Sequence, residues 1–143
     1  MIRVVLDTNI VVSGVFWSGA SFRVLQLADE RLFVPIVSLE IVKEYRRVIE
    51  SNEILAKTSR ASTERALVAL QRLLLLSHYV RPKGRVRAVA EDPDDDKFLD
   101  AAMAGQASCL VSMDKHILRL KNFRGISILE PSSFLEQMQK LKS

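Results

Sequence analysis

Short, β-branched apolar runs alternate with segments of helical periodicity, and this alternation limits the fold more than any other feature of the chain. Ile2–Leu6 and Ser108–Ser112 are strand-length runs with little polar interruption, which is typical of strands buried on both faces of a parallel sheet. Two more strands are predicted over Leu32–Val37 and Ile126–Leu129. The predicted fold is therefore α/β, with three α/β/α layers and a mainly parallel central sheet.

Helical periodicity fills the segments between these runs. Predicted helices cover Ser21–Glu30, Leu39–Glu50 with Ser38 as its cap, Ser62–Leu76, a segment that ends at Gly105, and a last helix from Pro131. The polar segment between residues 51 and 60 is predicted to be irregular. The helix before Leu76 ends in four consecutive leucines, which indicates burial on more than one side and a homodimer contact.

Size and composition restrict the possible classes of protein. A chain of 143 residues fits a single domain over residues 1–143. Its start lacks the apolar stretch of a signal peptide, and no apolar run approaches the ~20 residues of a membrane span. The single cysteine agrees with a reducing compartment, so we expect a cytoplasmic protein without a membrane partner. With only two histidines, a metal would need oxygen ligands, which favours magnesium or manganese over zinc.

Acids follow two of the predicted strands. Asp7 comes directly after Ile2–Leu6, and Asp114 comes two residues after Ser112. Because ligands of open α/β sheets bind beyond the carboxyl ends of the strands, acids there favour a functional site. The alternative for Asp7 is a turn residue that caps the next helix.

A third acidic feature is the run EDPDDDKFLD, Glu91–Asp100, which contains five aspartates. Asp92 and Pro93 are predicted to be the N-cap and first residue of a helix. Helical phase lets either Asp95 or Asp96 face the sheet and slightly favours Asp95. The run is either a solvated helix start or part of a divalent-metal site, because crowded carboxylates repel one another without a cation.

Glu44 is the acid of the second predicted helix that is best able to face the sheet edge; its alternative role is a surface partner for Arg47. The segment RPKGRVRAVA carries the cations Arg81, Lys83, Arg85 and Arg87 without an acid. These residues are candidates for positioning phosphates beside the acidic run, and a solvated loop is the alternative. The net charge of +4 suits a polyanionic substrate only weakly.

Several chemistries lack their motifs in this chain. It has no G-x-S-x-G elbow, no G-x-x-x-x-G-K-[ST] loop and no G-x-G-x-x-G loop. Hydrolysis of a phosphodiester by metal-bound water remains, since that reaction needs several carboxylates to hold one or two divalent ions.

Four segments, taken in order, resemble the PIN domain family: VVLDTNIVVSG, SLEIVKEYRRVI, DPDDDKFLDAA and CLVSMDKHIL. The chain more narrowly resembles PIN proteins classed as toxins of toxin–antitoxin systems, relatives of the VapC ribonucleases. The resemblance covers nearly the whole chain and implies a single PIN-like domain. It also implies an endoribonuclease that depends on one or two Mg²⁺ or Mn²⁺ ions, an RNA substrate, a cognate antitoxin and a homodimer.

The resemblance also implies the site residues. The matched acids are Asp7, Glu44, Asp96 and Asp114, so that Asp96 is chosen over Asp95. Three of these, Asp7, Asp96 and Asp114, are expected to hold the metal, and Glu44 to be a ligand or to orient the attacking water. The residues expected to contact these ligands or metal-bound water are Asn9, Ser112 and Asp100. Alternative functions are a non-catalytic PIN-fold binding module and a structure-selective DNA nuclease.

Overall fold

The computed structural model describes residues 1–83 and 95–142. The first half of the described chain contains β1 (Arg3–Leu6), α1 (Thr8–Phe16), α2 (Ala20–Asp29), β2 (Val34–Val37), α3 (Leu39–Ile49), α4 (Asn52–Lys57), α5 (Arg60–Leu75) and β3 (His78–Tyr79). The second half contains α6 (Asp96–Ala104), β4 (Cys109–Val111), α7 (Lys115–Leu118), β5 (Asn122–Phe123), β6 (Ile126–Leu129) and α8 (Pro131–Lys142).

The described strands form one six-stranded sheet in the order β3-β2-β1-β4-β6-β5, flanked by helices. Every pairing is parallel except the one between β5 and β6. The central strand β1 has Val4, Val5 and Leu6 all at 1% exposure or less. Because successive strand residues point to opposite faces, this burial shows that both faces of the sheet are covered. The predicted α/β fold with a mainly parallel sheet is confirmed.

The strand order places a crevice beside β1. From β1 the chain moves to β2 and β3 on one side, and later returns to β4 on the other side. Helices that leave two neighbouring strands in opposite directions open a gap at the carboxyl ends of those strands. Asp7 follows β1 and Ser112 follows β4, so both residues lie at this gap.

Serine N-caps set where helices α3, α4 and α5 begin. Ser38 caps α3, where its side chain accepts a hydrogen bond from the N–H of Ile41, as predicted. The predicted irregular segment instead contains the short helix α4, capped by Ser51. The next helix, α5, is capped by Ser59, whose side chain accepts a hydrogen bond from the Ser62 N–H, and not by Ser62 as the sequence predicts. The helix therefore begins three residues earlier than predicted, at Arg60.

Helix α1 leaves β1 with only Asp7 between them, and it crosses α2 closely at Gly14. A Cβ atom added to Gly14 would lie 2.8 Å from Leu25 Cγ and 2.9 Å from the Ser21 carbonyl oxygen. We predict that Gly14→Ala lowers the free energy of unfolding by about 1–3 kcal/mol, because a backbone oxygen cannot yield as a side chain can. Urea denaturation measures this change, and an unchanged midpoint would contradict the close crossing.

Helix α6 carries the described part of the acidic run. Gly105 ends it, as predicted, and Ile36 Cγ2 would lie 2.8 Å from a Cβ at that position. Helical spacing predicts that Leu99, Ala102 and Met103 form its buried face. Leu99 and Ala102 are buried, but Met103 is 38% exposed and Phe98 is buried instead. The predicted cap and first residue, Asp92 and Pro93, lie outside the described residues.

The leucine run at the end of α5 is not uniformly buried. Leu73 is in the core, whereas Leu75 is 81% exposed. A contact with a second copy of the chain stays a prediction. Of the described helices, none alone has the length and apolar character to cross a membrane; α1 and α2 would do so only as a pair, and they are bent by 92° at their junction.

Candidate active site

Asp7 occupies the carboxyl end of β1. Its N–H donates to the carbonyl oxygen of Val111 at 2.9 Å, which extends the β1–β4 pairing to the end of the strand. The side chain is 4% exposed and makes no capping hydrogen bond to α1, although the residue stands at the N-cap position. Its Oδ2 instead accepts a hydrogen bond from the Ser112 hydroxyl at 2.6 Å. The carboxylate is therefore held by Ser112, the residue that follows β4.

Ser112 links Asp7 to Asp114. The serine is fully buried, and its Oγ also accepts a hydrogen bond from the Asp114 N–H at 3.0 Å. The Asp114 carboxylate is half-buried and caps α7 by accepting from the His116 N–H at 2.8 Å. Met113, between them, is not among the described residues with positive φ, so this turn does not require a glycine. The two strand-end acids are thus joined through one hydroxyl.

Burial dominates the electrostatics of this pair. It is the largest of the causes that raise the pKa of Asp7 to about 6, and the charges of Asp114 and Glu44 act in the same direction. Hydrogen bonding to the Ser112 hydroxyl and to the Thr8 backbone N–H lowers this pKa. Since a like charge acts on a pKa only from nearby, the three carboxylates belong to one cluster. Such a cluster is costly in free energy without a cation.

Glu44 reaches the cluster from α3, and both its oxygens accept hydrogen bonds. Thr8, directly after Asp7, donates its hydroxyl proton to Oε2, and the Lys97 ammonium donates to Oε1. Lys97 is 7% exposed at its side chain and Glu44 is 14% exposed, so this ion pair is largely removed from water. Arg47 also pairs with Oε1 at 3.6 Å, as the alternative role of Glu44 anticipated, but its own side chain is 71% exposed.

Tyr45 supports the same corner from the core. It is 1% exposed, and its hydroxyl donates to the Leu6 carbonyl oxygen, the last one before Asp7. Burial, with the charges of Asp7 and Glu44, raises the pKa of Tyr45 well above its ordinary value. The phenol therefore remains a neutral donor that holds the end of β1.

Asp95 and Asp96 lie at the start of α6. Asp96 is the first residue of the helix and is 4% exposed, while Asp95 is its N-cap and is half-buried. Helix α6 packs against β1, β2, β4 and α3, and Lys97 ties its start to Glu44. Asp100, one turn on, is half-buried and lines a cavity of about 460 Å³ together with Lys97 and Arg81.

The other predicted contact residues are spread out. Asn9 is exposed on the first turn of α1, and its side chain forms no hydrogen bond within residues 1–83 and 95–142. Arg81 and Lys83 are exposed after β3. Arg85 and Arg87 lie outside the described residues, so the basic segment is described only at its beginning.

A family model described as PIN domain matches residues 3–116, a stretch that contains β1, α3, α6, β4 and all four predicted acids. The chain belongs to the PIN domain family. No curated protein matches it. PIN domains are generally nucleases, that is, hydrolases that bind nucleic acid, and they typically use divalent metal ions. The resemblance of the four sequence segments is thereby confirmed at the level of the family.

The donor set of this PIN domain fits a hard divalent cation. Asp7, Asp96 and Asp114 offer carboxylate oxygens, the ligands that Mg²⁺ and Mn²⁺ prefer. Burial and, to a smaller extent, the charges of Asp114 and Glu44 raise the pKa of Asp7, and a cation bound to this carboxylate would favour its ionised form. Within the described part of the chain, no three Asp, Glu, His or Cys side chains stand ready as a complete metal site.

Three residues that hold the site together are not identified by the sequence patterns: Thr8, Lys97 and Tyr45. The hydrogen bonds of these residues join positions 36, 53 and 39 residues apart along the chain. The one available signal was the position of Lys97, a cation between Asp96 and the apolar pair Phe98-Leu99. A lysine beside a buried helix start needs a nearby acid, and the chain offers Glu44 for it.

We predict that Ser112→Ala raises the pKa of Asp7 further, because the serine hydroxyl is the main hydrogen bond that stabilises its charged form. The acidic limb of any pH–activity profile that depends on ionised Asp7 then moves to higher pH. A pH titration of the carboxyl carbons by ¹³C NMR measures the shift directly. Ser112→Thr keeps the hydroxyl and is the matched control; equal pKa values in both variants would contradict the role of this hydrogen bond.

Proposed function

We propose that this PIN domain is a divalent-metal-dependent endoribonuclease that acts in the cytoplasm. The observation that carries the proposal is the cluster at the carboxyl ends of β1 and β4. There burial, together with the smaller effects of the Asp114 and Glu44 charges, raises the pKa of Asp7 to about 6. A core that needed only stability would not retain such a buried carboxylate, and perturbed carboxylates in a crevice are typical of catalytic sites.

In this proposal Asp7, Asp96 and Asp114 hold Mg²⁺ or Mn²⁺. The bound metal supplies a water acidic enough to attack a phosphodiester and a positive charge that stabilises the leaving oxygen. Ser112 keeps the Asp7 carboxylate ionised and directed toward β4 through its hydrogen bond. Asn9 and Asp100 flank the ligands and are proposed to bind metal-bound water or substrate.

Glu44 is proposed to hold other groups of the site in position rather than to bind the metal ion. Both of its oxygens already accept hydrogen bonds, from Thr8 and from Lys97. The pair with Lys97 compensates one carboxylate charge of the cluster and fixes the start of α6, from which Asp96 projects. Each Glu44 oxygen keeps a lone pair that is able to accept a proton from an attacking water.

The test is Mn²⁺-dependent cleavage of a labelled single-stranded RNA by the wild type and by Asp96→Asn. We expect the variant to lose on the order of 100-fold in rate, since one metal ligand is removed. Asp29→Asn is the matched control, because Asp29 is an exposed acid whose partner is Arg72 on another helix. Equal rates in the wild type and Asp96→Asn would contradict the proposal.

The same assay separates the alternatives. Preferred cleavage of branched or flapped DNA would favour a structure-selective DNA nuclease, and RNA binding without any cleavage would favour a non-catalytic module.

We further propose that the chain is the toxin of a toxin–antitoxin pair and that a cognate antitoxin binds it. The support is the resemblance of its four segments. We also propose that the chain forms a homodimer, which is supported by the same resemblance and by the exposed Leu75. Arg81, Lys83, Arg85 and Arg87 are proposed to bind the RNA backbone.

A further inference from the structure

A second basic surface begins beside Asp114. Between Lys115 and Leu129 the chain contains no acid, and it carries four cationic side chains, all exposed: Lys115, Arg119, Lys121 and Arg124. We call this surface the α7–β5 strip. Among the described residues, Lys115, Lys121 and Arg124 form no ion pair with an acid. The charges of Lys115, Lys121 and Arg124 are thus not compensated by a direct salt bridge.

The topology makes this strip a path that leads away from the candidate active site. Strand β4 runs toward the strand ends where Asp7 and Asp114 lie, and the parallel strand β6 starts at the opposite, amino-terminal ends of the strands. Helix α7 and strand β5 therefore carry the chain from one end of the strands to the other. Lys115 and Arg119, four residues apart, lie on the same side of this turn of helix. The strip extends over roughly 13 Å, the height of a four-residue strand.

The far end of the strip offers a flat surface as well as charge. The Arg124 guanidinium lies over the Phe123 ring, 4.8 Å from its centroid, on the edge strand β5 and its turn. Phe123 is half-buried, and Arg124 is exposed. A guanidinium plane held on an aromatic ring is a surface on which an unpaired base stacks.

We infer that the α7–β5 strip binds the backbone of a single-stranded RNA next to the cleaved phosphodiester, with a base stacked at Arg124. The inference rests on the proposed function for the identity of the ligand. Four cations in a row beside the acids attract phosphates toward a cluster that would otherwise repel them. Arg81 follows β3, and the strip includes β5, which is the edge strand on the other side of the described sheet.

The test is fluorescence anisotropy of a labelled single-stranded RNA of about 15 nucleotides, without divalent metal, so that binding is measured apart from cleavage. We expect Lys115→Gln/Arg119→Gln to weaken binding roughly ten-fold and to reduce the slope of log affinity against log salt by about 1.4, two contacts' worth. Lys121→Gln/Arg124→Gln is expected to behave alike. The control Arg60→Gln/Arg65→Gln removes the same charge from α5, which packs against α1, α2 and α3.

Arg124→Lys separates stacking from charge. The lysine keeps the positive charge but lacks the guanidinium plane, so we expect an affinity loss of about five-fold or more with an unchanged salt slope. Equal affinities of the wild type, both strip variants and the α5 control would overturn the inference, as would tighter binding of a duplex than of the single strand. Weakened binding in protein that shows no cleavage would leave the strip standing and the proposed function contradicted.

Discussion

Replacing Asp7 with asparagine is expected to abolish metal-stimulated RNA cleavage and, at the same time, to stabilise the metal-free protein. The loss of activity follows from the loss of a metal ligand, and we expect it to be on the order of 100-fold or more. The gain in stability follows from the pKa of Asp7, which burial and the charges of Asp114 and Glu44 raise to about 6. A residue that served only the core would show the opposite effect on stability.

The sign of the stability effect follows from proton linkage. The folded protein binds a proton at Asp7 more tightly than the unfolded chain does, because the pKa of Asp7 in the folded protein, about 6, exceeds its ordinary value of 3.8. The unfavourable contribution is therefore absent below pH 3.8, grows between pH 3.8 and 6, and is complete above pH 6. Its size is about 2–3 kcal/mol, so neutralising the carboxylate raises the free energy of unfolding most at pH 7 and above.

Urea denaturation at pH 4 and at pH 7.5 measures this difference. We expect Asp7→Asn to be nearly as stable as the wild type at pH 4 and clearly more stable at pH 7.5. The exposed-acid variant Asp29→Asn controls for the loss of one negative charge from the protein as a whole. Destabilisation of Asp7→Asn at both pH values would assign this carboxylate a structural role and contradict the interpretation of its burial.

Glu44→Gln is expected to destabilise the protein by about 2–3 kcal/mol, the second largest effect. The substitution leaves the ammonium of Lys97, 7% exposed, without the carboxylate that compensates it. Removing one partner of a buried ion pair costs more than the pair contributes, because the other charge remains buried. The double variant Glu44→Gln/Lys97→Met should recover most of the lost stability without recovering activity.

Arg47 provides a matched control for this pair. It contacts the same Glu44 oxygen at 3.6 Å, but its side chain is 71% exposed. Arg47→Met should therefore change the free energy of unfolding by less than about 1 kcal/mol. If the effects of Glu44→Gln and Lys97→Met simply add, without coupling, the two side chains are independent and the ion pair does not stabilise the start of α6.

The parts of the site that follow from strand pattern were predictable from the sequence. Asp7 and Asp114 each follow an apolar run, and parallel strands bring their carboxyl ends to the same edge. The choice between Asp95 and Asp96 could not be predicted from helical periodicity. Each residue turns a helix by about 100°, so the residue at which the helix starts decides which of the two side chains faces the sheet. In the structure Asp95 is the N-cap and Asp96 is the first residue of α6.

The pairs that hold the acids in place could not be predicted in the same way. Lys97 and Glu44 come from different helices and are 53 residues apart along the chain, and no local pattern couples them. Tyr45 fits an apolar helical stripe equally well with or without its hydrogen bond to Leu6. The α4 helix was missed because its capping serine, Ser51, begins a segment with too few apolar residues to show helical periodicity.

Thermal denaturation tests directly whether a metal site is built on Asp7. The wild type and Asp7→Asn are each measured with and without Mn²⁺ at pH 7.5. A ligand that binds only the folded state at 100 times its Kd adds about 2.7 kcal/mol of stability. We predict that Mn²⁺ raises the Tm of the wild type by several degrees and leaves the Tm of Asp7→Asn unchanged. An equal rise in both proteins, or none in either, would contradict it.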